Sequence, residues 1–210
     1  MIRVLIADDH AIVRQGLKLI LSETSDLVVA GEADSGSNAL KLARAGEWDV
    51  ALLDISMPDK NGIDVLKMIK SEFPKHPVLM LSMHPEEHYA IRALKAGASG
   101  YLTKQSAPAL LVTAIRQVAS GRKYVSPELA EELANTLGAD SDRPLHETLS
   151  DREYQVLCLI ASGKPLSDIA ETLSLSAKTV SVYRARLLEK MKLKNNAELT
   201  HYGIKHQLVE

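Results

Sequence analysis

Val50-Ala51-Leu52-Leu53-Asp54 runs four apolar residues into a carboxylate, and Ile55-Ser56-Met57-Pro58 carries the chain away from it. An apolar run that starts on a β-branched residue and stops at a proline loop is the pattern of a strand buried on both faces. In an open α/β sheet, ligands sit in the crevice beyond the carboxyl ends of the strands. Asp54 therefore stands where a functional carboxylate would stand. A strand-end Asp on its own is more often a turn cap, so its weight depends on what else the chain brings to that edge.

Val4-Leu5-Ile6, Val28-Val29-Ala30, Val78 to Leu81 and Gly100-Tyr101-Leu102 are further strand candidates. Helical spacing links Val13, Leu17, Ile20 and Leu21, and again Val65, Leu66 and Ile69, while another helix is read from Ala109 to Val118. Five βα units in succession predict a parallel sheet covered by helices on both faces. Gly31, Gly46, Gly97 and Gly121 are read as ends of elements, where glycine stops helices or turns the chain.

Beyond about Val125 the pattern changes. Ser126-Pro127-Glu128 is a helix start, with a capping residue before a proline, and Leu129, Leu133, Ala134 and Leu137 share one face. The polar, turn-rich stretch from Gly138 to Pro144 is where the domain boundary is placed. After Leu149 only helical patterns remain. The expected organisation is an α/β domain over 1–122, a linker helix and connection over 123–145, and a small all-α domain over 146–210.

Hydrophobic residues make up 46% and charged residues 25% of the 210, which places the chain among ordinary globular proteins. The net charge of −2 singles out no partner. The local balance does, since residues 178–194 hold six Lys/Arg (Lys178, Arg184, Arg186, Lys190, Lys192, Lys194) against one Glu. The single cysteine, Cys158, rules out an intramolecular disulfide framework and lies in an apolar run, so it reads as a core thiol. Met1 leads directly into strand-like Arg3-Val4-Leu5-Ile6 without a signal-peptide pattern, and no apolar run reaches membrane-spanning length. The expectation is a soluble cytoplasmic protein.

Four of the five strand candidates end on polar residues of particular types: Asp8-Asp9, Asp54, Ser82, and a run past Tyr101 to Lys104. A parallel sheet brings these ends to one edge. Three carboxylates there repel each other, by roughly 4 kcal/mol per pair at ~4 Å and an effective dielectric near 20. A hard divalent cation with oxygen ligands, Mg²⁺ above all, relieves that repulsion. It also removes the barrier to a phosphoryl group, for which a carboxylate is a competent acceptor. Lys104 and the Ser82 hydroxyl are placed to bind the phosphoryl oxygens.

These residues, with the loop Met57-Pro58-Asp59-Lys60-Asn61-Gly62, resemble a bacterial response-regulator receiver over about residues 1–122. The resemblance implies a flavodoxin-like (βα)5 fold. It implies that Asp54 accepts a phosphoryl group from a sensor histidine kinase. It further implies that Asp9, Asp54 and the Ser56 carbonyl bind Mg²⁺, with Asp8 acting through water, and that Ser82 and Tyr101 form a switch pair. Gln105 follows the lysine where many receivers carry proline.

In the last third, Ser150-Asp151-Arg152-Glu153 has the form of a capping box. A short helix from Leu166 to Leu173, the turn Ser174-Leu175-Ser176 and a basic helix from Ala177 follow, which is a helix-turn-helix pattern. Val180, Leu187 and Met191 share the inner face. A charged stretch alone is most often a solvated helix face. Leu149 to Glu153, Asp168-Ile169-Ala170, Lys178-Thr179-Val180 and Leu187-Leu188-Glu189-Lys190-Met191 together resemble the LuxR-type domain of the NarL/FixJ response regulators. The tail from Ala197 to Leu208 is similar to the GacA/UvrY branch. The resemblance implies a phosphorylation-activated transcription regulator that binds promoter half-sites in double-stranded DNA as a homodimer. The candidate DNA contacts are Lys178, Thr179, Ser181, Val182, Tyr183, Arg184, Arg186 and Lys190. Ser181 and Tyr183 stand where the family often has Lys and His.

Three other classes fit the residues less well. An aspartyl phosphatase of the haloacid-dehalogenase kind places a second Asp two residues after its nucleophile, where this chain has Ser56. A flavodoxin-like cofactor binder calls for a phosphate-cradling loop after the first strand, where this chain has Asp8-Asp9-His10. An orphan regulator that binds DNA without phosphorylation would not need the full set of pocket residues.

Overall fold

In the computed structural model, residues 1–57, 59–83, 86–106, 108–127, 129–131 and 144–209 are described, apart from the side chains of 86–88. Contacts divide the chain into two compact units, Met1–Asn135 and Thr136–Glu210. The first alternates strand and helix: β1 (Ile2–Ala7), α1 (Ala11–Ser22), β2 (Leu27–Ala33), α2 (Gly36–Ala45), β3 (Val50–Asp54) and α3 (Gly62–Glu72). It continues with β4 (Val78–Ser82), α4 (Glu86–Lys95), β5 (Gly100–Thr103) and α5 (Pro108–Ala119). The strands form one parallel sheet in the order β2-β1-β3-β4-β5.

The sheet is parallel because each crossover is a helix, and the central strands β3 and β4 are apolar up to their last residue because both their faces are covered. Every residue of β3 and β4 is buried. On one face Val4, Ile6, Leu52, Leu79, Leu81 and Leu102 are closed over by Leu17 and Leu21 of α1 and by Leu111, Ile115 and Val118 of α5. Past α5 the chain returns to the β5 edge, where Tyr124 bridges Gly100 and its N–H donates to the Ser99 carbonyl at 2.9 Å.

β2 runs further than its β-branched segment. Gly31 is not an element end but lies inside the strand, beside a register shift between Val4 and Leu5 that leaves Ala30 without a partner on β1. A Cβ on Gly31 would come within 3.3 Å of the Leu5 side chain, which is why a glycine fits the bulge. The helix expected after Ser126 begins as read: the Ser126 hydroxyl accepts the Leu129 N–H at 3.2 Å, and the Ala130 N–H reaches the Ser126 carbonyl at 3.0 Å. Its continuation through Leu133, Ala134 and Leu137, and the connection from 138 to 143, lie outside the described residues.

The second unit is helical: a 3₁₀ turn (Leu145–Thr148), α6 (Asp151–Ala161), α7 (Leu166–Thr172), α8 (Ala177–Met191) and α9 (Asn196–Lys205). The capping box forms as the sequence predicts, with the Ser150 hydroxyl accepting the Glu153 N–H and Glu153 accepting the Ser150 N–H at 2.8 Å. Ser176 caps α8 by accepting the Thr179 N–H at 3.1 Å. Val180, Leu187 and Met191 of α8 are buried, with Ile169 and Ala170 of α7 inside the same unit. Lys192 ends α8 in the left-handed conformation. Among the described residues no helix is long and apolar enough to cross a membrane.

Candidate phosphoryl pocket and DNA-facing helix

The carboxyl ends of β1, β3, β4 and β5 meet at one edge of the sheet, and the sequence-predicted pocket residues meet there. Asp8 and Asp54 are buried, at 0% and 1% exposure, as is Ser82. Asp9 is half-buried. Lys104 follows β5, anchored by its N–H to the Ser82 carbonyl at 2.7 Å. Its ammonium lies between two carboxylates, 2.7 Å from Asp8 Oδ2 and 2.9 Å from Asp54 Oδ2. Lys104 thus already offsets part of the acid–acid repulsion, a role the sequence alone did not assign to it. The Lys104–Gln105 peptide is trans, as are the others among the described residues.

Burial pushes the Asp54 carboxyl up to about 6; the charge of Asp8 adds to the rise, while Lys104 and the Ser56 N–H pull the other way. Burial works against the Lys104 ammonium, but Asp54 and Asp8 outweigh it and hold its pKa above the ordinary lysine value. Asp8, Asp9, Asp54 and Lys104 together carry a formal charge of −2, from three carboxylates and one ammonium. No hydrogen bond of good geometry reaches either carboxylate oxygen of Asp54, Asp8 Oδ2 or Asp9 Oδ1 among the described residues. Buried, under-satisfied carboxylate oxygens with a net −2 charge fit a hard divalent cation. One ligating atom from each of Asp8, Asp9, His10 and Asp54 lies within 4.8 Å of the others.

Ser82 and Tyr101 lie on one face of the sheet: Met80 pairs with Tyr101 and Ser82 with Thr103, so all four side chains share a side of the pleat. Tyr101 is fully buried.

Two supports of the pocket carried no assigned role in the sequence. Asn61 caps α3, its Oδ1 accepting the Ile63 N–H at 2.8 Å. Next to it, the Gly62 N–H donates to the Ile55 carbonyl at 2.8 Å, and a Cβ on Gly62 would lie 2.0 Å from the Asp54 carbonyl oxygen. Only glycine lets α3 start against the end of β3 and so set the height of Asp54. The Asn-Gly pair is a turn signal in the sequence, but the close approach behind it is not visible there. Asp59 ties the same loop to the start of α2, accepting the Gly36 and Ser37 N–H groups at 2.8 Å each.

On α8 the structure sorts the candidate DNA contacts. Lys178, Ser181, Val182 and Arg186 are exposed, and together with Ala185 they form one continuous stripe of the helix. Thr179, Tyr183 and Arg184 are half-buried. The Thr179 hydroxyl lies 2.8 Å from the Ser176 hydroxyl at the cap, and Arg184 Nε donates to Asn196 Oδ1 at 2.5 Å. Lys190 has a different partner from the one expected: its ammonium donates to Glu153 Oε2 at 2.7 Å. That carboxylate is 3% exposed and belongs to the α6 capping box. Burial works to raise the Glu153 pKa, but Lys190 and the Ser150 groups carry it below the usual carboxylate range. Lys190 is exposed and at the same time supports the fold through this pair. Ala185, with no signal in the sequence beyond its small size, lies at the centre of the exposed stripe.

Residues 4–116 match the model of the response regulator receiver domain, and residues 147–203 match that of the bacterial regulatory proteins of the luxR family. Response regulator UvrY of Escherichia coli (strain K12) is 37% identical over 209 residues, 99% of this chain and 96% of that protein. Response regulator GacA of Pseudomonas aeruginosa (strain PAO1) is 37% identical over 212 residues, 100% of this chain and 99% of that one. RcsB from Salmonella enterica serovar Typhimurium, solved bound to promoter rprA in the presence of phosphomimetic BeF3⁻, is 29% identical. It superposes with a TM-score of 0.66 over 96% of this chain and 97% of its own.

Proposed function

This chain belongs to the two-component response regulators that join a receiver to a LuxR-type DNA-binding domain, and from that premise we propose that Asp54 is the phosphoacceptor that controls its binding to DNA. The proposal rests above all on one observation: Asp54 is buried at the sheet edge within reach of Lys104 and beside two further acids. An oxygen of the Asp54 carboxylate forms the bond to phosphorus as the P–N bond of a kinase phosphohistidine breaks and the imidazole departs. Lys104 is placed to bind the phosphoryl oxygens once they enter. Asp9, Asp54 and the Ser56 carbonyl would hold Mg²⁺, with Asp8 through water, and the ion would supply the countercharge the phosphoryl group needs.

The domain limits proposed are 1–122 for the receiver, 123–145 for the connecting segment and 146–210 for the DNA-binding domain. Ser82 and Tyr101 couple the domains: the Ser82 hydroxyl moves to the phosphoryl group and Tyr101 fills the space, altering the surface of α4 and β5. The exposed stripe of α8 then enters the major groove of promoter DNA, and a homodimer reads two half-sites about one DNA turn apart. A cytoplasmic location follows from that task. Allosteric couplings are ~1–3 kcal/mol, so a shift in dimerisation of about tenfold is expected.

The test is a hydroxylamine-labile adduct on Asp54 after phosphoramidate and Mg²⁺ treatment, read by mass spectrometry. Undiminished labelling of Asp54→Asn at another residue would reassign the acceptor. Sedimentation with and without beryllofluoride reads the dimerisation shift, and no shift would separate phosphorylation from pairing.

A further inference from the structure

We infer that His10 is a nitrogen ligand to the divalent cation of the carboxylate pocket and biases that pocket from Mg²⁺ toward first-row transition-metal ions such as Mn²⁺. The inference builds on the phosphoacceptor reading of the same site and concerns which ion it takes. His10 precedes α1, and its backbone N–H donates to Asp8 Oδ1 at 2.9 Å, which ties the residue to the pocket. Its ring Nδ1 is 2.8 Å from Asp9 Oδ1 and 3.3 Å from Asp8 Oδ1. Adjacent ligands at roughly 2.1 Å around an octahedral ion lie roughly 3.0 Å apart. The separation from Asp9, a direct ligand in that reading, is that of neighbouring donors around one ion.

The other side of the pocket is already taken. Lys104 faces Oδ2 of Asp8 and Oδ2 of Asp54, whereas His10 faces Oδ1 of Asp8. An ion entering on the Oδ1 side meets the imidazole without displacing the ammonium. The His10 side chain is 56% exposed, so packing does not stop it turning to the ion. Mg²⁺ prefers an all-oxygen shell; Mn²⁺ also suits oxygen donors but, as a transition-metal ion, accepts an imidazole nitrogen more readily than Mg²⁺ does. A nitrogen donor at this position therefore raises affinity for Mn²⁺ more than for Mg²⁺. The competing account is a surface ion pair between His10 and Asp9 with no part in metal binding.

The test uses the full chain with MnCl2 and MgCl2, comparing the unmutated protein with His10→Ala and Asp54→Asn. Calorimetry gives both affinities, and pulsed electron paramagnetic resonance of the Mn²⁺ complex reads nitrogen directly bonded to the ion. The expected result is an imidazole ¹⁴N coupling that changes on ¹⁵N-histidine labelling and vanishes in His10→Ala. The preference for Mn²⁺ over Mg²⁺ should also fall about tenfold in that variant. Mn²⁺ binding that is lost in Asp54→Asn, but lacks ¹⁴N coupling and keeps its selectivity in His10→Ala, overturns the role of His10 and leaves the pocket intact. Mn²⁺ binding indifferent to Asp54→Asn, or absent, overturns the cation pocket itself and the inference with it.

Discussion

The phosphoryl pocket and the exposed stripe of α8 both carry charge, and they treat it in opposite ways. In the pocket, Asp8, Asp54 and Lys104 are nearly inaccessible and commit to one another at 2.7–2.9 Å. On α8, Lys178 and Arg186 stand in solvent, and the two cations with protein partners, Arg184 and Lys190, are turned toward α9 and α6. Buried charge is strongly coupled because water does not screen it. One substitution there changes the protonation, metal affinity and stability of the whole unit. Exposed charge is screened, so one substitution on α8 is expected to change one contact at most.

The largest effect is expected of Gly62→Ala. The added carbon would sit 2.0 Å from the Asp54 carbonyl oxygen, so α3 must move and Asp54 with it. A cost of about 4 kcal/mol to the receiver is expected. Urea unfolding followed by fluorescence measures it, because Trp48 is the only tryptophan and lies buried in the first unit. A loss under 1 kcal/mol would mean the loop shifts freely and does not set the height of Asp54.

Next in size is the charge of Asp54 itself. Its folded pKa, about 6, exceeds the unfolded value of 3.8. The folded state therefore holds the proton longer, and stability falls as pH rises through that window. Without divalent cations, the buried charge costs about 3 kcal/mol at pH 7. Asp54→Asn should stabilise the metal-free receiver by about that much at pH 7 and by almost nothing at pH 3.5. Unfolding in chelator at both pH values checks this, and an equal gain at the two would show that the gain is not electrostatic.

The smallest effects separate the two lysines on α8. Lys190→Ala removes the partner of the buried Glu153 carboxylate, so the second unit should lose about 1 kcal/mol by calorimetry, the lysine end of the pair being 44% exposed. The salt dependence of its DNA binding should stay the same. Lys178→Ala should leave stability unchanged and lower the salt slope by about 0.9, the value of one phosphate contact. Exchanged outcomes would make Lys190 the groove contact and Lys178 a part of the fold.

The sequence was legible wherever local periodicity and strand ends carry the information. Apolar runs marked all five strands, the capping box at Ser150 and Glu153 marked the start of α6, and Asp8, Asp9, Asp54 and Lys104 were placed at one edge by the parallel topology alone. The bulge beside Gly31 was not legible, because its cause is the Leu5 side chain on a neighbouring strand. The rank of Lys190 was not legible either. Its partner Glu153 is 37 residues away, and only the packing of α8 on α6 brings them together.

By itself, then, the amino-acid order determined the layer architecture, the helix caps and the set of groups in the pocket. Those depend on periods of two and 3.6 residues and on where a strand stops. Only the packed fold put Lys104 between Asp8 and Asp54, left no room for a side chain at Gly62, and paired Lys190 with Glu153. Each of these depends on contacts between separate elements, and such contacts exist only once the core has packed.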